Sequence, residues 1–186
     1  MKNHITPSST EIESVIPATN SQLEIWTDCL IGNNDANKAF NLSYSIKFKG
    51  ELVLEALEYA VNTLVQRHEC LRTSFSSDGI HMNIYKDFKI EISHNSISEL
   101  TANEKEKSIE IIVNEEVNSL FDLVNGPLFK VKLIQVDTLE NVVILTYHHI
   151  IGDGLSINII VEELSLLYSA FIEKATPKLT NPERFS

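Results

Sequence analysis

The sequence predicts an α/β (α+β) fold in which a mixed β-sheet is covered by helices. Segments with apolar residues at helical spacing are interspersed with segments of strand periodicity. One of the latter, residues 141–147, is apolar almost throughout, as expected for a strand buried on both faces. The 186 residues are 43% hydrophobic and 22% charged, which suits one domain of ordinary size or one lobe of a larger one.

Four segments are predicted to be helices. Residues 19–21 offer N-cap side chains to a short helix over residues 22–31, in which Trp26 is expected to anchor the core. The clearest amphipathic pattern covers residues 52–67, where apolar residues recur on one face. Two further helices are expected at residues 104–120 and 155–173.

The predicted strands are marked by alternation and by the turns that bound them. Residues 42–48 alternate apolar and polar side chains, and Gly50 ends the pattern. Ser77-Asp78-Gly79 suggests a hairpin turn, and Gly126-Pro127 precedes another strand. The other predicted strands are residues 71–75, 81–85, 90–93, 128–136 and 141–147.

Charge and composition exclude several classes of function. Fifteen Lys and Arg stand against 26 Asp and Glu, a net charge of −11 that disfavours nucleic acid as a partner. No apolar run is long enough for a membrane span, and the polar first residues do not form a secretory signal, so a cytoplasmic location is expected. Cys29 and Cys70 are far apart in sequence and are expected to be reduced thiols.

The segment from Tyr147 to Ser156 carries the most informative chemistry. A buried strand ends in His148 and His149, whose side chains must point to opposite faces, so only one of them can serve a given cavity. Asp153 could cap the following helix or accept from a buried cation, and Gly154 permits a special backbone conformation and close approach by a substrate. Free N–H groups at the helix start could stabilise an oxyanion.

Paired histidines at a strand end also occur as metal ligands or as packed polar residues. No metal site is expected, because the remaining histidines form no evident ligand set with them. The four in question are His4, His68, His81 and His94.

Four motifs together resemble those of the condensation domains of nonribosomal peptide synthetases. His148-His149-x-x-x-Asp153-Gly154 corresponds to the family's core motif, and residues 67–75 read RHECLRTSF against its RHExLRTxF. Residues 22–26 are similar to its QxEIW form, and residues 121–128 to FDLxxGPL. The resemblance spans about residues 15 to 183, with the motifs in the family's order.

This resemblance implies one lobe of a two-lobed enzyme, each lobe with a chloramphenicol-acetyltransferase-like fold. Such domains form an amide bond between a donor acyl or peptidyl thioester and the amine of an acceptor aminoacyl thioester. No cofactor is expected to bind directly, because the substrates ride on the 4'-phosphopantetheine of donor and acceptor peptidyl carrier proteins. The implied partners also include a neighbouring adenylation domain and a missing carboxy-terminal lobe.

The resemblance also implies a domain division and residue roles. Residues 1–18 are expected to be a flexible leader, residues 19–175 the amino-terminal lobe, and residues 176–186 the start of a linker to the other lobe. The candidate catalytic residues are His149, His148 and Gly154. His149 would act on the acceptor amine as base or positioning group, His148 would mainly pack, and the Gly154 N–H could meet the oxyanion. Asp153 is implied to support the site by pairing with Arg72.

Other acyl-transfer and binding functions remain open beside this one. Leu155 replaces the family's usual aromatic residue, a change expected to affect the lining and not the chemistry. The chain is much shorter than the family's members, so the isolated lobe is expected to be inactive. One alternative is a related acyltransferase that forms an ester, and another is a non-catalytic docking module for carrier proteins. An epimerization domain is disfavoured by the intact RHExLRT segment, and a cyclization domain by its aspartates in place of these histidines.

Overall fold

Two β-sheets and four helices form the part of the protein that the computed structural model describes, residues 11–182. The strands are β1 (Ile12–Pro17), β2 (Asn41–Lys49), β3 (Thr73–Phe75), β4 (His81–Tyr85), β5 (Ser93–Ser96), β6 (Phe129–Asp137) and β7 (Glu140–His148). The helices are α1 (Asn20–Ala39), α2 (Leu54–Arg67), α3 (Ala102–Val117) and α4 (Ser156–Glu173). Short 3-10 turns occupy Glu69–Arg72 and His149–Ile151.

The larger sheet is mixed and has the strand order β2-β7-β6-β5. Strand β7 pairs antiparallel with both β2 and β6, whereas β5 runs parallel to β6. Val143 and Leu145 of β7 belong to the main core with α2 and α4, while Val142 and Ile144 pack on the opposite face, against α3. Both faces of β7 are therefore covered, which confirms the predicted sheet between helices.

The smaller sheet corrects the prediction of a flexible leader. Its order is β1-β4-β3, and β1 pairs antiparallel with β4, so residues 12–17 are part of the fold. The sparse apolar residues of this segment suggested no strand, but an edge strand needs only one neighbour to complete its ladder. The first ten residues of the predicted leader lie outside the described part of the chain.

Most predicted elements are confirmed, with shifted ends. Thr19 caps α1, as predicted, in a capping box with Gln22, but α1 continues well beyond residue 31. The polar run after Ile31 resembles a loop, and the helix is interrupted there at Asn33, which has a φ of 54°. The predicted strand at 90–93 is displaced to Ser93–Ser96, and the predicted strand at 71–75 is a 3-10 turn followed by β3.

The hairpin turn before β4 is fixed by close packing. Gly79 has a φ of +73°, and a Cβ there would lie 2.3 Å from the Trp26 ring. Trp26 is buried against this turn and 6.2 Å, centroid to centroid, from Phe75, which confirms it as a core anchor.

The segment after α4 lies against the body of the lobe. Leu179 packs on the main core, and the Thr180 carbonyl accepts a 2.6 Å hydrogen bond from Arg67 Nη2. Residues 176–182, predicted to begin a linker, contain no helix or strand, and the last four residues lie outside the described part. None of the helices described between residues 11 and 182 is long and apolar enough to cross a membrane.

Candidate active site at the end of strand β7

His148 is the last residue of β7, and its side chain is completely buried. Its Nδ1 accepts a hydrogen bond from the Ile150 N–H at 3.3 Å, while Nε2 lies 3.8 Å from Cys29 Sγ. The rings of Phe40 and Phe121 lie on either side, with centroids 5.9 and 6.0 Å away. A ring that accepts at Nδ1 carries its proton on Nε2, so His148 is held as one neutral tautomer.

The surroundings of His148 make it a poor base at neutral pH. Burial lowers its pKa to about 4, although the backbone carbonyl of Asn37 favours the charged form and the neighbouring His149 opposes it. A general base works best when its pKa lies near the operating pH. The geometry therefore gives His148 a packing role within the candidate catalytic set.

His149 has a different environment, although it follows directly in the chain. It opens the 3-10 turn His149–Ile151, its backbone N–H donates to the Phe40 carbonyl at 2.8 Å, and its side chain is only partly buried. The turn ends the alternation of the strand, so the two histidines do not share one environment. Of the pair, His149 alone combines a fixed backbone with access to solvent.

The loop between the two histidines and α4 is held by Asp153 and Tyr147. Asp153 Oδ1 accepts from the backbone N–H groups of Leu155 and Ser156 at 3.0 and 2.9 Å, and from Ser156 Oγ at 2.8 Å. The hydrogen bonds from Ser156 hold the pKa of Asp153 below its ordinary value. The Tyr147 hydroxyl donates to the Asp153 carbonyl at 2.6 Å. Asp153 thus caps the start of α4, one of the two roles considered for it.

The implied ion pair between Asp153 and Arg72 is not present in this structure, and that assignment is wrong here. Arg72 Nη1 donates at 2.5 Å both to Glu13 Oε2 and to the Tyr85 carbonyl. The 3-10 turn Glu69–Arg72 directs the buried guanidinium toward the smaller sheet, while the Asp153 carboxylate is exposed above α4. Arg72 therefore ties β1 to β4, and it supports the site only through the fold.

Gly154 is exposed, and a Cβ at this position would meet no atom within 4 Å. Its φ is not in the left-handed region, so the expectation of a backbone conformation reserved for glycine is also wrong. Its N–H has no acceptor among the described residues, and it lies next to the capped start of a helix. What Gly154 offers is a free donor with open space around it.

The Arg67-His68 pair lies away from the loop, at the end of α2. Arg67 Nε and His68 Nε2 lie 3.0 and 2.9 Å from Glu163 Oε2 of α4. Burial raises the pKa of Glu163, but the hydrogen bonds from Arg67 and His68 outweigh it and leave the pKa below its ordinary value. The pair joins two helices and takes no direct part in the site.

Asn37 is a supporting residue that the sequence patterns did not indicate. Its side-chain amide donates to the Phe121 carbonyl and accepts from the Phe121 N–H, both at 3.0 Å. Phe121 in turn packs edge-on against the His148 ring. The only sequence signal was its place in the polar run after Ile31, which is typical of a loop.

An open groove of about 1320 Å³ lies on the side of His148 where Cys29 and Phe121 contact it. Cys29, Asn37, Phe121 and Lys130 are among its lining residues, and His149 is not. Cys29 and Cys70 are both free thiols. Within residues 11–182 there is no group of three or more His, Cys, Asp or Glu side chains placed to hold a metal ion.

A sheet between helices, with a double histidine leading into a capped helix, defines a lobe of the chloramphenicol-acetyltransferase-like class. Residues 12–186 match the family model "Condensation domain", and the chain belongs to the condensation domain family. It is 36% identical to a component of the linear gramicidin synthase of Brevibacillus parabrevis over 171 residues, which are 88% of this chain and 3% of that protein. It is 28% identical to chondramide synthase of Chondromyces crocatus over 96% of this chain and 5% of that protein.

Solved structures give the same fold. The starter condensation domain of rhizomide synthetase aligns with a TM-score of 0.81 at 20% identity, over 90% of this chain and 40% of the solved one. The X-domain from teicoplanin biosynthesis aligns with a TM-score of 0.77 at 24% identity, over 93% of this chain and 36% of the solved one. The chain therefore corresponds to the amino-terminal part of such domains and spans well under half of their length.

Proposed function

We propose that this chain is the amino-terminal lobe of a condensation domain in a nonribosomal peptide synthetase. The complete domain would join a donor acyl or peptidyl thioester to the amine of an acceptor aminoacyl thioester. Both substrates would be carried on the phosphopantetheine arms of peptidyl carrier proteins. The observation that carries the proposal is the division between two adjacent histidines, one locked and neutral, the other partly exposed beside a helix start.

The reaction requires three events at the thioester carbonyl. The acceptor nitrogen attacks the carbonyl carbon, the carbonyl oxygen becomes an oxyanion, and the C–S bond then breaks as the amide forms. The nitrogen loses one proton and the departing sulfur gains one. An imidazole next to the amine and a backbone N–H next to the oxyanion meet these needs without a protein nucleophile.

His149 is assigned to the amine and the Gly154 N–H to the oxyanion. His149 is suited to its role because its backbone is fixed by Phe40 while its ring is accessible. Gly154 is suited because its N–H has no acceptor among the described residues and because the residue is exposed. A pH–rate profile distinguishes a base that removes the proton from a group that orients the amine.

The test is His149→Ala in the complete domain, with both lobes present and two carriers loaded with donor and acceptor. We expect the rate of amide formation to fall by about 10²-fold or more, because a positioned acid–base group contributes that much. Mass spectrometry of the acceptor carrier measures the product. The matched control is His81→Ala, which removes an exposed histidine of β4 in the other sheet and should leave the rate unchanged.

Different results would contradict different parts of the proposal. An unchanged rate in His149→Ala would remove that residue from the chemistry. Turnover with a hydroxyl acceptor but not with an amine would indicate an ester-forming acyltransferase instead. Carrier binding without any product, in a wild-type domain that contains both lobes, would indicate a docking module.

A further inference from the structure

Tyr147 contributes a buried hydroxyl that the roles assigned so far do not use. Its side chain is 1% exposed, and its ring stacks on Tyr44 with a centroid distance of 6.3 Å. From this position in β7 the hydroxyl donates to the carbonyl of Asp153, six residues further along the chain, at 2.6 Å. It is thus a direct contact between the core and the loop that precedes α4.

The Asp153 carbonyl belongs to the same peptide unit as the Gly154 N–H. This peptide bond is trans, since the one cis bond among the described residues is Gly126–Pro127. In a planar trans peptide the C=O and N–H bonds point in opposite directions. A carbonyl held by Tyr147 therefore turns the Gly154 N–H away from the Tyr147 hydroxyl, at a residue that is exposed to solvent.

We propose that Tyr147 is a positioning residue whose hydroxyl holds the Asp153–Gly154 peptide unit so that the Gly154 N–H faces the oxyanion of the reacting thioester. This rests on the proposed function, because it specifies how the donor assigned there acquires its direction. An oxyanion donor is effective when its direction is set before the reaction, so that no reorganisation is needed as charge develops.

Two further observations support this role. Burial raises the pKa of Tyr147, so the hydroxyl remains protonated and can act only as the donor toward the carbonyl. Separate hydrogen bonds between Asp153 and Ser156 join the same loop to the first residue of α4. The Asp153–Gly154 peptide unit is therefore held by Tyr147 at its carbonyl and by Ser156 through Asp153.

The test is Tyr147→Phe in the complete two-lobed domain, with loaded donor and acceptor carriers. We expect kcat for amide formation to fall by about tenfold to a hundredfold, somewhat less than the loss of an oxyanion donor itself. KM for the acceptor and the pH dependence of kcat should stay unchanged, because the interaction matters only in the transition state and His149 is intact. The control is Tyr85→Phe, which removes a hydroxyl bonded to Ser74 Oγ at 2.8 Å, away from the loop.

Unchanged kcat in Tyr147→Phe would overturn the proposal, and so would an equal loss of kcat in Tyr85→Phe or a rise in KM that matches the fall in kcat. His149→Ala is measured in parallel. If His149→Ala abolishes turnover while Tyr147→Phe is fully active, only the role of Tyr147 fails; if the wild-type two-lobed domain forms no amide, the proposed function fails.

A second variant covers the case in which Tyr147→Phe does not fold. Site-specific replacement of Tyr147 by 3-fluorotyrosine keeps the ring and the hydroxyl but makes the hydroxyl a stronger donor. The variant keeps the donor that holds the carbonyl, so kcat should stay at or above the wild-type value. A tenfold or larger fall in kcat with the hydroxyl still present would overturn the proposal.

Discussion

At the scale of single residues, two identical side chains in adjacent positions acquire opposite properties. His148 is enclosed by aromatic rings and a thiol, and burial lowers its pKa to about 4. His149 begins the next turn and keeps contact with solvent. The difference arises because the strand ends between them, so that only the first histidine continues into the core.

The buried neutral His148 should make the stability of the lobe depend on pH. An unfolded histidine has a pKa of about 6.5, so between this value and about 4 the unfolded chain binds more protons than the folded one. Stability should therefore decrease as the pH falls through this window, and between pH 7 and pH 5 the loss attributable to His148 should be about 2 kcal/mol. Urea unfolding at the two pH values measures it.

The matched variant is His148→Asn, whose amide can still accept from the Ile150 N–H but does not titrate. Its stability should be lower at pH 7, and its dependence on pH between 7 and 5 should be weaker than that of the wild type. An identical dependence in both proteins would show that His148 is not the titrating group.

At the scale of elements, α2 and α4 are joined by a polar contact at the edge of a hydrophobic interface. Glu163 of α4 receives hydrogen bonds from both Arg67 and His68 at the end of α2. The RHE segment suggested basic residues at a helix C-terminus, and Arg67 is the last residue of α2. Its partner Glu163, however, lies 96 residues further along the chain. This contact positions the helix that starts at the candidate oxyanion donor.

Glu163→Gln should destabilise the lobe by about 1.5–3 kcal/mol, because it removes a charged acceptor and leaves two half-buried donors poorly satisfied. Since the pKa of Glu163 is depressed, the wild-type contribution is present above the unfolded pKa and is lost as the pH falls through the folded one. Thermal unfolding at neutral pH measures the effect. Glu162→Gln, at the exposed neighbouring position, is the control and should leave the melting temperature unchanged. Equal decreases in melting temperature in the two variants would contradict the role of Glu163.

At the scale of the whole molecule, the first strand β1 is joined to the rest of the smaller sheet through Arg72. Arg72 follows α2, contacts Glu13 of β1 and the backbone of β4, and leads directly into β3. The first strand therefore completes the smaller sheet and covers a buried cation, which is a different task from that of a flexible leader.

Deletion of residues 1–17 should lower the urea midpoint of the lobe, because β4 loses a neighbour and Arg72 loses its carboxylate partner. Breaking a buried charge contact of this kind is more costly than removing an exposed strand side chain. Val15→Thr, which changes an exposed side chain of β1 while keeping its β-branched shape, should leave the midpoint unchanged. A midpoint unaffected by the deletion would restore the view of this segment as a leader.

The sequence alone determined the fold class, most of the elements and the position of the candidate site. Periodicity in residues 52–67 and the apolar run of residues 141–147 report burial directly, since a helix or strand must place those side chains in the core. The double histidine and the Asp-Gly pair indicated the position of the candidate site. They could do so because the motif consists of residues that are close together in the chain. Strand alternation also predicted that His148 and His149 would differ, although the difference comes from the 3-10 turn that begins at His149.

Only the tertiary structure decided which groups are partners. That Arg72 binds Glu13 and not Asp153, and that Asn37 binds Phe121, depends on where elements distant in sequence meet. That Tyr147 holds the Asp153 carbonyl depends on how the loop after β7 folds back. Local patterns carry no information on such distances, because a polar side chain looks the same in sequence whether it faces solvent or a buried carbonyl. The direction of the Gly154 N–H is likewise set by a tyrosine whose sequence pattern indicated only a core residue.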